Sequence, residues 1–303
     1  RPGTMDGVPN PAEPLDVTVV VATMDRRESL RRTLRHLLEL PGAPAVVLVD
    51  NASRDGSADA AEEEFGGSGR LDVVRLPHNR GALARDEGVR RARTSLVAFS
   101  DDDSWWAPQA LPRAAAAFEA HPRLGLVAAR ATLVPSGETD RASVKMASAP
   151  LGRRADLPGP PVLGFAACAS VVRRSAFLEV GGFDELIFFG GEEELLSLDL
   201  AAAGWDQCYL DDVEALHGPA GEVTPPRWAV QERNSVLVSW LRRPLRVALR
   251  DTASLLTRAV HDGHLAHEVV ELARRLPEVL RRRRPVAPEL EGSWRRAHQP
   301  LRG

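Results

Sequence analysis

Hydrophobic residues follow two spacings along the first 120 residues. Short apolar, β-branched runs typical of strands buried on both faces lie at 17–22, 45–49, 71–76 and 95–99. Segments with apolar residues at helical spacing lie at 28–40, 57–65, 82–92 and 109–120. This alternation predicts a parallel sheet with helices on both faces. Because such sheets bind ligands where their strands end, the residues after each strand are the first candidates for chemistry.

The pattern loosens after residue 120. We predict further strands at 124–133, 166–172, 207–210 and 215–216, and helices at 174–180 and 192–203. The Gly-, Pro- and Ser-rich segment 135–161 predicts a long, substrate-facing loop. Beyond Pro226 the chain is predicted to be helical to about Arg284, with a Pro- and Arg-containing tail.

Composition narrows the class of protein. The 303 residues are 44% apolar, which supplies a core and argues against a disordered chain. The net charge of −3 argues against a general nucleic-acid binder, although 39 residues are basic and Lys145 is the only lysine among them.

Cysteine usage and hydropathy suggest where the chain works. Cys168 and Cys208 are too few for a disulfide framework or a four-cysteine zinc site, which favours a reduced, cytoplasmic setting. The longest uncharged stretch, 157–172, is too short and too proline-rich to span a bilayer. Residues 1–4, before Met5, are interpreted as a tag remnant, and 1–15 as a flexible N-terminus.

Three consecutive carboxylates, Asp101, Asp102 and Asp103, follow the fourth predicted strand. Like charges at a strand end are costly unless something positive lies beside them. Hard cations such as Mg²⁺ and Mn²⁺ prefer oxygen ligands and bridge phosphates, so the triplet is a candidate metal site on a nucleotide diphosphate. The alternative is an acidic loop that caps the helix beginning near Pro108.

Polar residues also follow the other strands. Asp50 follows the second strand and could accept a hydrogen bond from a base N–H, or could simply form a turn. No G-x-G-x-x-G follows the first strand, so a Rossmann dinucleotide fingerprint is absent. Asn79 and Gly81 suit a tight turn, and Arg85 could meet a phosphate or remain a solvated surface charge.

Taken together and in order, these motifs resemble family 2 glycosyltransferases over about residues 16–240. The matching positions are Val19–Arg26, Asp50, Asn79, Gly81, Arg85, Asp101, Asp103, Val180–Glu185, Glu192, Glu193 and His217. The resemblance implies a GT-A (Rossmann-like) α/β fold: a mixed, mainly parallel sheet flanked by helices, with a helical C-terminal extension. It further implies a nucleotide-sugar-binding half (16–120), an acceptor-binding and catalytic half of the same domain (121–225) and an extension (226–303).

The resemblance also implies an activity: inverting transfer of a sugar from a nucleotide-diphosphate donor, with UDP or dTDP sugars expected, to an acceptor hydroxyl. The acceptor would be a glycan, a lipid-linked sugar or a natural product. The implied cofactor is a divalent metal, Mn²⁺ or Mg²⁺. Implied donor-binding residues are Ala22, Thr23, Asp25, Arg26, Asp50, Asn79, Gly81, Arg85, Asp101 and Asp102, with Asp86 nearby. Implied metal ligands are Asp103, Asp101 and His217, and implied acceptor contacts are Trp105, Phe188, Phe189 and Gly191.

The implied catalytic pair is Glu192 and Glu193, with Glu193 as the general base that takes the acceptor proton. Acidic residues at a helix N-terminus are also favoured by the helix dipole alone. Three departures from the family pattern stand out: Glu193 replaces an Asp, Leu195 stands where an Asp is frequent, and Asp199 occupies a commonly basic position.

Some alternatives remain open from sequence. The chain could be a degenerate relative that binds nucleotide sugar without turnover, or a sugar nucleotidyltransferase, although the Gly-rich triphosphate loop of that class is absent after Val21. Apolar and arginine residues mix over 237–250, and a short basic cluster follows at 281–284. These C-terminal helices could fold back on the core, pair with a second subunit, or lie peripherally on the inner face of the membrane.

Overall fold

The computed structural model describes residues 15–218, 225–261, 263 and 265–299, with backbone alone for 225–228. The predicted N-terminal tag remnant and flexible segment therefore lie outside the described residues, except for Leu15. The strands are β1 Val17–Thr23, β2 Ala45–Asp50, β3 Leu71–Arg75, β4 Leu96–Asp101, β5 Ser104–Trp106, β6 Leu124–Leu133, β7 Ser170–Arg173 and β8 Asp206–His217. The helices are α1 Arg27–Leu38, α2 Ser57–Phe65, α3 Leu83–Arg91, α4 Ala110–Ala120, α5 Arg141–Ala147, α6 Arg174–Glu179, α7 Glu192–Ala202, α8 Pro225–Arg242, α9 Leu245–His261, α10 Leu265–Arg282 and α11 Pro288–Ala297.

The strands form one mixed sheet in the order β3-β2-β1-β4-β7-β6-β8-β5. Strands β1 to β4 pair in parallel, whereas β7 is antiparallel to both of its neighbours and β5 is antiparallel to β8. The apolar runs of β1, β2 and β4 are buried because helices cover both faces of the sheet. The predicted GT-A arrangement with a helical C-terminal region is confirmed.

Three local predictions are wrong. Segment 135–161 is not loop throughout, because α5 forms within it and begins where the Asp140 side chain accepts the Ala142 amide. The segment 166–172 splits into a 3₁₀ turn at Ala167–Ala169 and β7. The two short strands at 207–210 and 215–216 are one strand, β8. In addition, the Pro- and Arg-containing tail, for which no individual element was predicted, holds a helix, α11.

Besides the two hydrophobic clusters that pack against the sheet, a third core cluster joins the C-terminal helices to the rest of the molecule. It packs Leu195 and Leu198 of α7 against apolar side chains of α8, α10 and α11, including Leu241 and Trp294. Burial of such side chains contributes about 1.5–3 kcal/mol each, so the extension is part of the same packed body as α7. The helix that carries the candidate base therefore rests on the C-terminal helices.

Candidate active site

The carboxyl ends of β1, β2 and β4 form one polar edge. Thr23 is in register with Asp50, and Ala22 is in register with Asp101. The chain runs from β1 to β2 and β3 on one side and returns to β4 on the other, so β1 and β4 flank the point where strand order reverses. Crevices at such points bind ligands in open α/β sheets.

The aspartate triplet lies against a cation from the first turn. Arg26 pairs with Asp102 (Nε–Oδ1 3.4 Å) and Asp103 (Nη2–Oδ2 2.9 Å), and the Thr23 hydroxyl donates to Asp102 at 3.0 Å. Burial raises the pKa of Asp102 to about 6, and the opposing charge of Arg26 limits the rise. Arg26 thus balances part of the negative charge of the triplet.

The predicted metal ligands divide into two sets. Asp103 Oδ1 lies 3.4 Å from His217 Nε2, because β5 pairs with β8 and sets Ser104 opposite His217. The contact with the Asp103 carboxylate, which accepts a hydrogen bond from the imidazole, raises the pKa of His217. Asp101 instead pairs with Arg85 at 2.5 Å. Within the described part of the chain, no three His, Cys, Asp or Glu side chains converge as a metal centre.

The predicted nucleotide-binding turns are fastened to one another. Asp25, in a left-handed conformation (φ +54°), accepts the Arg54 amide at 2.6 Å. Asp50 is buried, and one of its oxygens accepts the Ser53 amide at 3.0 Å. These contacts hold the loops after β1 and β2 together at the polar edge, with Ala22 half-buried at the end of β1.

The turn before α3 contacts the second half of the domain. Asn79 Oδ1 accepts the Gly81 amide at 2.8 Å, and Gly81 has φ +58°. A Cβ on Gly81 would lie 2.0 Å from the carbonyl oxygen of Phe188, so only glycine fits there. Asp86 is buried and accepts the Phe183 amide at 3.2 Å, which commits it to holding the two halves together.

A left-handed turn presents the candidate base. Gly190 and Gly191 have φ +81° and +100°, and α7 begins immediately afterwards with Glu192 and Glu193. Burial and, after it, the neighbouring Glu192 carboxylate together raise the pKa of Glu193 to about 8, although the charge of Arg85 opposes the rise. Since Asp101 also acts on Glu193, the base lies within electrostatic reach of the aspartate edge.

A cavity of about 350 Å³ opens beside Glu193. Its walls come from α5, the segment 162–166, the start of α7, and the helices α8 and α11. Of the predicted acceptor contacts, Gly191 lines this cavity. Phe188 and Phe189 are 45% and 44% exposed and lie outside its lining. Trp105 stacks on His36 with ring centroids 4.4 Å apart, so acceptor binding by these three aromatic residues stays a prediction.

Sequence reasoning missed several residues at the site. Asn234 of α8 donates from Nδ2 to the carbonyls of Phe189 and Gly190 at 2.9 and 2.8 Å, which fixes the turn before the base. Burial raises the pKa of Cys168, and the nearby Asp101 carboxylate reinforces this, so the thiol stays protonated. These side chains reach the site from distant segments, and the sequence carried no local motif for them.

The structure supplies reasons for two departures from the family pattern. Leu195 is 1% exposed and belongs to the cluster that joins α7 to the C-terminal helices. Asp199 accepts from two guanidinium nitrogens of Arg242 on α8, Nε to Oδ1 and Nη2 to Oδ2, the latter at 3.0 Å. Both positions therefore serve the contact between α7 and the extension.

Comparison with known proteins identifies the class. The sequence model described as Glycosyl transferase family 2 matches residues 18–181, more than half of the chain. The chain belongs to glycosyltransferase family 2, which confirms the resemblance drawn from the motifs.

Among the helices of the described residues, none combines the length and the apolar character that a membrane span requires.

Three curated relatives illustrate the range of similarity. The succinoglycan biosynthesis protein ExoU of Rhizobium meliloti is 34% identical over 32% of this chain and 29% of its own length. The pre-mycofactocin glycosyltransferase of Mycobacterium tuberculosis is 33% identical over 59% of this chain and 38% of its own. The chain thus spans less than half the length of both. The N-acetylglucosaminyl-diphospho-decaprenol L-rhamnosyltransferase of M. tuberculosis is 28% identical over 78% of this chain and 90% of its own.

Solved structures share the fold. A mannosyltransferase from Pyrobaculum calidifontis, in complex with GDP-Man and Mn²⁺, matches with a TM-score of 0.59 at 19% identity, over 97% of this chain and 89% of its own. Residues 1–349 of S. aureus TarS, in complex with UDP-GlcNAc, match with a TM-score of 0.56 at 16% identity, over 94% and 93%. At these identities the likeness establishes the fold.

Proposed function

We propose that this protein is an inverting glycosyltransferase that moves a sugar from a nucleotide-diphosphate donor to an acceptor hydroxyl. The observation that carries the proposal is that three carboxylates act on Arg85. Its guanidinium pairs with Asp101 at 2.5 Å and interacts electrostatically with Glu192 and Glu193. A candidate donor site and a candidate base therefore meet at one guanidinium, and the candidate base lines a cavity large enough for a small ligand. Membership of the family supports the same reaction class.

We propose that the donor's base lies near Asp50 and its diphosphate near the aspartate triplet. The buried Asp50 carboxylate retains acceptor capacity beyond the Ser53 amide, which suits the N3–H of uracil or thymine. UDP and dTDP sugars are therefore the expected donors. Arg26 and Arg85 could pair with phosphate oxygens once the carboxylates they now contact are neutralised by a cation.

The residues present fit a divalent cation that shares its ligands with the donor. Asp103 and His217 are adjacent, and the described chain offers no third side chain to complete a centre. Mg²⁺ and Mn²⁺ commonly take one or two protein ligands and complete their shells with substrate phosphates. Asp103 and His217 would hold the ion, with Asp101 at the edge of the site. When bound, it would supply charge stabilisation for the departing diphosphate.

Glu193 is proposed to take the acceptor proton. The acceptor oxygen forms a bond to the anomeric carbon as its proton passes to the Glu193 carboxylate, and the bond from that carbon to the diphosphate oxygen breaks. Attack from the side opposite the leaving group inverts the anomeric configuration. The Oε2 atom of Glu192 is buried and has no hydrogen-bond partner among the described residues, and the Glu192 carboxylate keeps the electrostatic cost of ionising Glu193 high.

The exposed side of the C-terminal helices is proposed to face anionic lipid, with acceptors at that surface. Exposed apolar side chains of α9 and α10 are Leu245, Leu249, Val260, Leu265, Val269, Val270 and Leu280. The exposed charged side chains described on these helices are arginines, whereas the described acids are less exposed and engaged in ion pairs. Apolar and basic residues together are typical of membrane-surface helices.

A thermal-shift screen tests the donor site. UDP, dTDP and GDP are each added with Mn²⁺, and binding to the folded state raises Tm with ligand concentration. We expect UDP or dTDP to raise Tm, and Asp103→Asn to weaken the metal-dependent part of the shift. The matched control is Asp212→Asn, an exposed aspartate on β8. No shift with any nucleotide would contradict the proposal, and a shift without turnover would support the non-catalytic alternative.

A further inference from the structure

The cavity beside Glu193 has mixed walls. Apolar side chains of Met146, Val162, Leu163 and Phe165 form much of its lining, and Lys145 joins them from α5. A volume of about 350 Å³ lies within the range of small-ligand sites. The polar groups in such a site determine which ligand it selects.

Lys145 is the chain's only lysine, and among the described residues it lacks the carboxylate partners that the arginines of the site possess. Arg26 and Arg85 are each paired with members of the aspartate triplet, whereas no described carboxylate lies within 4 Å of the Lys145 amine. Lys145 is half-buried, and this burial lowers its pKa. A half-buried cation without a counter-ion is stabilised by an arriving anion.

His298 does not compete for that anion. Its ring stacks on Trp294 with centroids 3.8 Å apart, and its Nδ1 lies 3.0 Å from the Trp294 carbonyl oxygen. Burial lowers the pKa of His298 to about 4, so the ring is neutral at pH 7. Nδ1 therefore donates to the carbonyl, and Nε2, which lies near Gly164, is an acceptor. Of the described cavity-lining side chains, Lys145 alone is cationic at pH 7.

We propose that this cavity binds an acceptor that carries a phosphate group, with Lys145 paired to the phosphate and the accepting hydroxyl turned towards Glu193. The inference rests on the proposed function and adds the chemical class of the acceptor. An ammonium serves as a point charge for phosphate, and the apolar walls strengthen the pairing by excluding water. The His298 Nε2 atom accepts a hydrogen bond from a neutral hydroxyl of the same ligand.

The phosphate could belong to a soluble sugar phosphate or to a lipid phosphate, and paired probes separate the two. The donor site is first filled with Mn²⁺ and the nucleotide that raises Tm most, so that phosphate does not occupy it. Calorimetric titration then compares glucose 1-phosphate with methyl glucoside, and octyl phosphate with octyl glucoside. If glucose 1-phosphate binds more tightly, the phosphate belongs to a soluble sugar phosphate, and if octyl phosphate does, it belongs to a lipid phosphate.

We expect the phosphate member of at least one pair to bind about tenfold more tightly than its neutral counterpart, from one charge-assisted contact. Lys145→Met should remove that preference, and Lys145→Arg should retain most of it. Arg141→Met is the matched control, because it removes a positive charge from the same helix at an exposed position outside the cavity lining.

Each unfavourable result leads to a different conclusion. Binding of nucleotide without any phosphate preference, or a preference that persists in Lys145→Met, overturns this assignment and leaves the proposed function standing. Loss of the preference in Arg141→Met as well would show a general surface-charge effect and would also overturn it. If no nucleotide binds to the wild-type protein, the proposed function fails, and the acceptor assignment fails with it.

Discussion

Replacing Asn234 with alanine tests whether the C-terminal extension positions the base. The side chain is 1% exposed, and its amide group donates to the carbonyls of Phe189 and Gly190 at 2.9 and 2.8 Å. Each hydrogen bond contributes about 0.5–1.5 kcal/mol, and carbonyls left without a partner add to the loss. We therefore expect Asn234→Ala to lower the free energy of unfolding by about 2–4 kcal/mol.

The same change should alter catalysis in a specific way. The turn that Asn234 holds leads directly into Glu193, and displacement of a catalytic group by about 1 Å can cost roughly 100-fold in rate. We expect kcat to fall while the KM for the nucleotide-sugar donor changes little, because the donor edge is formed by other strands.

Urea unfolding and steady-state kinetics with the donor measure both effects. Ser235→Ala is the control, since Ser235 makes only a 3.5 Å contact with Glu194 and should cost less than about 0.5 kcal/mol. If Asn234→Ala matched the wild type in stability and in kcat, the extension would not support the base as we argue.

Four further outcomes follow from the structure. The pKa of Glu193 is raised to about 8 by burial and by Glu192, so donor hydrolysis should increase as pH rises through about 8, and Glu193→Gln should lack that rise. Because the folded-state pKa of Glu193 exceeds the unfolded value of about 4.5, the unfolded state loses this proton at lower pH than the folded state does. The free energy of unfolding should therefore fall as pH rises from about 4.5 to 8, and urea titrations of the wild type and of Glu193→Gln would detect the difference. Gly81→Ala should destabilise the fold by about 2 kcal/mol or more in urea, since the new Cβ would meet the Phe188 carbonyl at 2.0 Å, and wild-type stability would contradict the geometry. Co-sedimentation with vesicles containing phosphatidylglycerol should exceed that with phosphatidylcholine alone and should drop in Val269→Glu/Val270→Glu, whereas equal binding would argue against a lipid-facing surface.

The sequence predicted the parallel half of the fold because its signals are local. The strands β1, β2 and β4 are buried on both faces, so their apolar runs are nearly continuous and identify them without knowledge of their neighbours. Strand β5 has three residues, which is too short to show an apolar–polar alternation, and it forms by pairing with β8. Helix α5 is also short, and its one local signal is the capping Asp140.

The candidate site divides in the same way. The aspartate triplet and Asp50 were predicted because strand ends of a parallel sheet meet at one edge, so order along the chain determines position. The cavity could not be predicted, because Lys145 of α5, Gln231 of α8 and His298, which follows α11, come from segments far apart in sequence. Their convergence depends on how α8 and α11 pack against α7, which is a property of the third core cluster.

The most direct test of the central claim is turnover of a nucleotide-sugar donor by Glu193→Gln in the presence of Mn²⁺. The amide has nearly the shape of the carboxylate but cannot take the proton, and loss of a general base typically costs 10²–10⁴-fold. Glu63→Gln, an exposed position on α2, is the matched control. The account predicts at least a 100-fold loss in Glu193→Gln with an unchanged nucleotide-induced Tm shift, and a wild-type rate in the control. A wild-type rate in Glu193→Gln would contradict the assignment of Glu193 as the base.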